Sequence, residues 1–152
     1  MGTNLATIVN AISALPIQYD GKTIDIRIGS TLPETPSIAD LPMRMISAMQ
    51  SSGGQVKRLT LGSNPVINFR WQITDILLGQ QVGLNRGIKS QSGALFTYAS
   101  TYAQQIRSLV TNTWQIEDVA ISVDVLELPS ESGNYYYGVR CDLTVKEIVQ
   151  GA

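Results

Sequence analysis

Apolar residues recur at helical spacing in two stretches of the chain. Near the start, apolar residues lie three or four positions apart: Leu5, Ile8, Val9, Ile12 and Leu15. A second stripe runs from about Ser92 to Val110, with a serine available as a cap: Leu95, Tyr98, Ala99, Tyr102, Ile106 and Leu109. This spacing places the apolar residues on one face of a helix. We predict a short helix over residues 4–15, which Pro16 ends, and a longer one over residues 92–110.

Apolar and polar residues alternate in the rest of the chain, as in strands with one buried face. The predicted strands are 24–28, 41–49, 56–61, 66–78, 119–125 and 139–146. In the first of these, Ile24, Ile26 and Ile28 are predicted to face the core. Pro42, at the start of the second, fits an edge strand.

The stretch 66–78 shows the clearest alternation. One predicted face contains Ile67, Phe69, Trp71 and Ile73, and the other contains Asn68, Arg70, Gln72 and Thr74. Its length predicts a strand that protrudes from the core or curls around it.

Loops are predicted where proline, glycine and small polar residues cluster. These segments are the proline-rich stretch 29–40, the connection 51–54, the turn 64–65, the glycine-containing stretch 79–91 and the hairpin turn 129–134. Residues 79–91 contain three glycines before Gly93 and show no periodicity, so we expect a mobile loop that becomes ordered on a partner.

The order of elements indicates the fold class. A short helix, several strands, a long helix and a closing hairpin predict an α+β fold. The predicted form is a mainly antiparallel β-sheet with the short N-terminal helix and the one long helix packed on one face, and a C-terminal β-hairpin. The 152 residues are typical of one domain, and we assign residues 1–152 to it.

Charge is scarce and unevenly distributed. Charged residues make up 15% of the chain, against about 25% in soluble domains, so we expect other protein to cover part of the surface. The net charge of −1 argues against tight nucleic-acid binding by bulk charge. Residues 44–107 contain Asp75 as their only acid, whereas acids dominate residues 117–147. Two interpretations stay open. The charges form salt bridges and solvated faces within one chain, or they pair identical subunits head to tail.

Candidate chemistry is sparse. The chain has no histidine and a single cysteine, so a nucleophile lacks its usual base and no intrachain disulfide can form. Cys141 alternates with Val139 and Leu143, which predicts an inert core residue. Asp118 with Asp124 or Asp142 is the nearest acid–base pair, and solvated surface charge is the favoured interpretation. We predict no enzyme activity, no catalytic, metal or cofactor residues, and no membrane contact.

Interface candidates come from exposed-looking charges and aromatic residues. Tyr135, Tyr136 and Tyr137 fit either core packing or a subunit contact. The full set of candidates is Arg70, Arg86, Lys89, Arg107, Glu117, Asp118, Asp124, Tyr135, Tyr136 and Tyr137.

Three segments together carry a family resemblance. The stretches WQITDILL (71–78), GALFTYASTYAQQIRSLV (93–110) and GVRCDLTVKEI (138–148) follow a short N-terminal helix in this order. The chain from about Ile67 onward resembles tail-terminator and neck proteins of long-tailed bacteriophages. The likeness lies in the order of elements and not in a fixed motif, so no family residue can be transferred to a position here.

The resemblance implies a structural virion protein that is assembled in the host cytoplasm. It would form a ring, expected to be a hexamer, at the head-proximal end of a tail that is expected to be contractile. The ring would stop growth of the tail tube or sheath and dock to a neck or connector protein, with DNA only passing through. The polar residues around Arg70, Gln72, Thr74, Arg140, Asp142 and Thr144 would line the passage. The alternatives are a tail-tube or head-completion subunit, a small binding module, or an enzyme that uses carboxylates alone.

Overall fold

The computed structural model describes residues 5–29, 41–49, 57–58, 66–82, 88–109, 111–127 and 133–150. The elements follow in chain order: α1 (Leu5–Ser13), β1 (Asp25–Ile28), β2 (Met43–Met49), β3 (Lys57–Arg58), β4 (Val66–Gln81), α2 (Ile88–Arg107), β5 (Trp114–Glu127) and β6 (Tyr135–Gln150). Two helices and one mixed sheet make the fold broadly α+β, as predicted from the sequence.

The strands form one sheet in the order β1-β2-β4-β6-β5, with the short β3 beside β4. β1 and β2 are parallel, and the other pairs are antiparallel. The predicted edge position of β2 is wrong, since β2 lies between β1 and β4. Pro42 is tolerated because it precedes the strand. Its carbonyl accepts a hydrogen bond from the Asp25 amide (3.1 Å), beside the parallel pairing of Asp25 with Met43.

β4 is the central strand of the sheet, and that it protrudes from the core or curls around it stays a prediction. β4 pairs with β6 along its whole length and with β2 and β3 on the other side. A register shift between Leu78 and Gln80 interrupts the pairing with β6, as a β-bulge does. The length of β4 is therefore used for pairing inside the sheet.

The boundaries of the predicted 79–91 loop and of the long helix also differ from expectation. β4 continues to Gln81 and α2 begins at Ile88, so both elements extend into the predicted loop. Ser92 lies inside α2, so the prediction that a serine caps the helix start is wrong. The other predicted loops, in 30–40, 51–54, 64–65 and 129–132, lie outside the described residues, as do Thr3 and Asn4.

Register and burial define a buried face of the sheet. On it lie Trp71, Ile73 and Leu77 of β4, paired with Val145, Leu143 and Val139 of β6. These residues share one hydrophobic cluster with side chains from both helices: Ile8, Ile12, Leu95, Tyr98, Tyr102 and Ile106. Four residues of the predicted stripe of the long helix are thus confirmed as buried, and Ala99 and Leu109 are partly buried against them.

β1 does not have the buried apolar face that its alternation predicted. Ile24, just before the strand, is buried, but Ile26 is 39% and Ile28 51% exposed. β1 stands at the end of the strand order, where a side chain has a sheet neighbour on one side only. Alternation therefore identified the strand but not its burial.

The opposite side of the sheet is apolar at one end. Met43 and Met45 of β2, Ile76 and Leu78 of β4, and Tyr136 of β6 form a second buried cluster. Residues 75–79 of β4 are consequently buried on both sides. Beyond this end, the same side of the sheet becomes polar.

Candidate assembly surfaces and a buried ionic cluster

Three neighbouring strands present a polar face on the side of the sheet away from the buried face. We define the polar face by Arg70, Gln72 and Thr74 of β4, Arg140, Asp142, Thr144 and Lys146 of β6, and Glu117, Asp118, Ala120, Ser122 and Asp124 of β5. Each of these residues is exposed or half-buried. The register places Gln72 opposite Thr144 and Thr74 opposite Asp142, so the polar side predicted for 66–78 is continuous with that of β6.

Arg70 and Glu117 form a two-pronged ion pair across this face. Arg70 Nε lies 2.9 Å from Glu117 Oε2, and Nη2 lies 3.1 Å from Oε1. The hydrogen bond from Arg70 and its charge lower the pKa of the Glu117 carboxyl. These two predicted interface residues therefore pair within one chain, in agreement with the interpretation that the charges form intramolecular salt bridges.

The other acids of the polar face are held by local bonds. Asp142 accepts a hydrogen bond from Thr74 Oγ1 (3.2 Å) and pairs with Arg140 (3.1 Å) on its own strand. Asp118 and Asp124 each accept a bond from the amide of the next residue, at 3.0 and 2.7 Å. Asp118 and Asp124 remain exposed, where they are available to another molecule.

The three tyrosines separate into two roles. Tyr136 belongs to the second buried cluster and Tyr137 to the main one, because consecutive strand residues point to opposite sides. Tyr135 is 44% exposed, and a hydrogen bond to Glu127 raises its pKa. Tyr136 and Tyr137 therefore pack within the chain, and Tyr135 alone of the three presents a substantial exposed surface.

The basic candidates are only partly described. Arg86 lies outside the described residues, and Lys89 is placed on the first turn of α2 without a described side chain. Arg107 is exposed in the last turn of α2, where a cation is favoured by the helix dipole. The salt bridges of the described residues do not include Arg107.

A buried ion pair joins Arg44 of β2 to Asp75 of β4. Both side chains are 1% exposed, and Arg44 Nη2 lies 2.6 Å from Asp75 Oδ2. The same Nη2 group donates to the carbonyl of Ile12 in α1 (2.8 Å). Tyr102 of α2 donates to Asp75 Oδ2 (2.8 Å), and its ring lies 5.6 Å from the Arg44 guanidinium carbon. We call these three side chains the ionic cluster; it connects two helices to two strands.

Burial and charge act in opposite directions inside the ionic cluster. Burial would lower the pKa of Arg44, but the hydrogen bond and charge of Asp75 raise it above the ordinary value. Burial, followed by the charge of Asp75, raises the pKa of Tyr98 and of Tyr102. Arg44 is thus held charged, and the phenol of Tyr102 and that of its neighbour Tyr98, outside the cluster, are held neutral.

Sequence reasoning missed the ionic cluster and a second buried acid, although alternation contains a signal for both. Asp75 lies two and four positions after Ile73 and Trp71, so it points to the same side of β4. Glu147 lies two positions after Val145, so it points to the same side of β6. Both acids therefore fall on the buried face, where each needs a partner. Glu147 is completely buried and accepts a hydrogen bond from the Trp71 indole (2.8 Å).

The single cysteine of the chain is inaccessible in the described structure. Cys141 is buried, as predicted, and burial raises the pKa of its thiol. Among the described residues, no group of three or more histidine, cysteine or acidic side chains is arranged to hold a metal ion. The described helices include none that is long and apolar enough to cross a membrane.

No protein-family model matches the chain, and no curated protein matches it. The surfaces described above therefore have to indicate the function.

Proposed function

We propose that this chain is a structural virion subunit, a tail terminator that forms a ring at the head-proximal end of a phage tail. The observation that supports this best is the polar face: a broad sheet surface left open to solvent while the buried face packs into the core. Such a surface suits the wall of a passage. The resemblance of the three sequence segments to tail-terminator and neck proteins points to the same role.

The charge of the polar face fits a wall that DNA passes without being held. It contains three basic and four acidic side chains. Affinity for DNA grows with the number of phosphates that lysine and arginine neutralise. Here Arg70 is engaged by Glu117 and Arg140 by Asp142, so few cations remain for the backbone of a moving duplex.

The two helices would form the outer layer of such a ring. Side chains of α1 and α2 share one cluster with the buried face, and the ionic cluster connects both helices to β2 and β4. We infer that α1 and α2 cover the same side of the sheet, leaving the polar face to the channel. The ring is expected to be a hexamer that contacts the tail tube or sheath on one side and the neck on the other.

Contacts between neighbouring subunits would use residues other than the Arg70–Glu117 pair. Asp118 and Asp124 on β5 are exposed and would attract a basic patch of the neighbouring subunit. β5 is an end strand of the sheet, so its acids are accessible to a neighbour. A head-to-tail contact of this kind closes into a ring when the rotation that relates neighbouring subunits is a whole fraction of a full turn.

The test is the mass of the purified chain by light scattering across concentration and salt, with negative-stain images of the same fractions. We expect a discrete ring, or a monomer that closes into a ring on added tail tubes, and weaker association at high salt. Open-ended tubes would instead indicate a tail-tube subunit. A strict monomer that ignores tail tubes would overturn the phage assignment.

A further inference from the structure

Phe96 of α2 is unusually exposed for a large apolar residue. Its side chain is 62% exposed, more than any other large hydrophobic residue in the described structure; the next is Ile28 at 51%. Its helix neighbours Leu95 and Tyr98 are 1% and 2% exposed, because they point to the core. A phenyl ring in water is unfavourable and favours contact with another apolar surface.

A groove on the same chain offers such a surface. It lies between the end of α2 and the start of β5, has a volume of about 280 Å³, and is lined by Ile106, Arg107, Leu109, Gln115, Ile116 and Val119. Its floor is mainly aliphatic, and its one charged group is the Arg107 guanidinium. Arg107 takes part in none of the salt bridges of the described residues.

Helix geometry relates the ring to the groove. Phe96 and Arg107 are eleven residues apart, which is about three turns and about 16 Å along the axis. The two side chains therefore point to the same side of α2. A chain cannot insert its own Phe96 into its own groove across that distance along a rigid helix, but a second copy can.

We propose that two copies of this chain pair through α2 about a two-fold axis, with Phe96 of each copy seated in the groove of the other. Placing the helices antiparallel brings each Phe96 beside Arg107 of the second copy, and both contacts form at once. A two-fold contact of this kind uses the same patch on both subunits. The pairing goes beyond the proposed ring and does not involve the polar face.

Electrostatics make the groove complementary to the Phe96 ring of a second copy. The face of a phenyl ring is negative, so a guanidinium above it gains a cation–π interaction. α2 contains no acidic residue, so Arg107 has no competing partner on its own helix. In the antiparallel arrangement each Arg107 faces a phenyl ring, and the two guanidinium groups stay about 16 Å apart along the axis.

The first test is the concentration dependence of mass by sedimentation for the full chain, Phe96→Ala and Thr97→Ala. Thr97 is the exposed neighbour of Phe96 on α2 and serves as the matched control. We expect pairing of single chains, or of rings, that Phe96→Ala weakens at least about ten-fold and that Thr97→Ala changes by less than about two-fold. A chain that is monomeric throughout, or assemblies whose mass Phe96→Ala leaves unchanged, would overturn the pairing. A ring that still forms unchanged with Phe96→Ala would overturn the two-fold pairing and leave the proposed function intact.

The second test is site-directed disulfide formation, which reports the geometry directly. Phe96→Cys protein mixed with Gln115→Cys protein, at a concentration well above that at which the full chain pairs, should form a mixed disulfide dimer under mild oxidation. Position 115 lines the groove, and the Gln115→Cys copy keeps its own Phe96 for the second contact. Phe96→Cys alone should not crosslink, because the two-fold pairing keeps both copies of position 96 apart. Cys141 is buried and does not compete. Crosslinking of Phe96→Cys alone, or none in the mixture, overturns the arrangement.

Discussion

At the residue scale, Asp75 is the acid on which four elements converge. It accepts hydrogen bonds from Arg44 on β2 and Tyr102 on α2, and Arg44 in turn binds the carbonyl of Ile12 in α1. Taking two charges out of water is costly, and their attraction offsets that cost only while both partners are present. Removing one partner leaves a buried charge with nothing to neutralise it.

We therefore expect Asp75→Asn to lower the free energy of unfolding by about 3–5 kcal/mol, a large part of the stability of a typical domain. Asp142→Asn is the matched control, because the Asp142 side chain is 48% exposed and pairs with an exposed arginine; its cost should stay below about 1 kcal/mol. Urea unfolding of both variants at neutral pH measures the difference. Equal costs would mean that the ionic cluster contributes no more than a surface pair.

At the element scale, the close approach of β4 and β6 depends on a glycine. Gly138 of β6 pairs with Leu78 just before the register shift in β4. A Cβ at position 138 would collide with the carbonyl oxygen of Leu77 and would lie 2.9 Å from Leu126 Cδ1. The backbone cannot give way easily there, because both strands are paired on their other sides as well.

Gly138→Ala should accordingly lower the free energy of unfolding by about 1–3 kcal/mol, the usual cost of overpacking. Gly93→Ala provides the opposite control. Gly93 lies on an exposed turn of α2 with nothing near its Cβ position, so alanine should stabilise the protein by about 0.5–1 kcal/mol through better helix propensity. Thermal and urea unfolding of both variants test this. A neutral Gly138→Ala would show that the two strands are farther apart than the structure indicates.

At the scale of the whole molecule, one cluster of side chains connects most elements. Residues of α1, α2, β2, β4, β5 and β6 share the main core, and Cys141 lies within it at 1% exposure. A reagent can reach this thiol only when the sheet and helices separate. The thiol is therefore a reporter of cooperative opening.

We expect the Cys141 thiol of the native protein to react with a thiol reagent at least about a thousand-fold more slowly than in urea, since opening costs much of the unfolding free energy. Burial also raises its pKa, which lowers the thiolate fraction. Absorbance of the released chromophore measures the rate. A fast reaction in the native state would mean that the core near β6 opens locally.

Local periodicity determined much of this fold. The two-residue period of 66–78 predicted the buried positions of Trp71 and Ile73 and the polar-face positions of Arg70, Gln72 and Thr74, and the helical stripe predicted the buried side of α2. Cys141 was placed correctly in the core by its neighbours Val139 and Leu143. These predictions succeed because buried positions repeat with the period of the helix or strand itself. A short window of sequence therefore contains the whole pattern of buried and exposed positions.

Tertiary structure alone decided how distant segments meet. Arg44 and Asp75 are 31 positions apart, and Arg70 and Glu117 are 47 apart, so no local pattern pairs them. The interior position of β2, its parallel pairing with β1 and the exposure of Ile26 and Ile28 depend on strand order. The sequence determined the faces of the elements because periodicity is local; the partners of those faces depend on contacts that only the folded chain brings together.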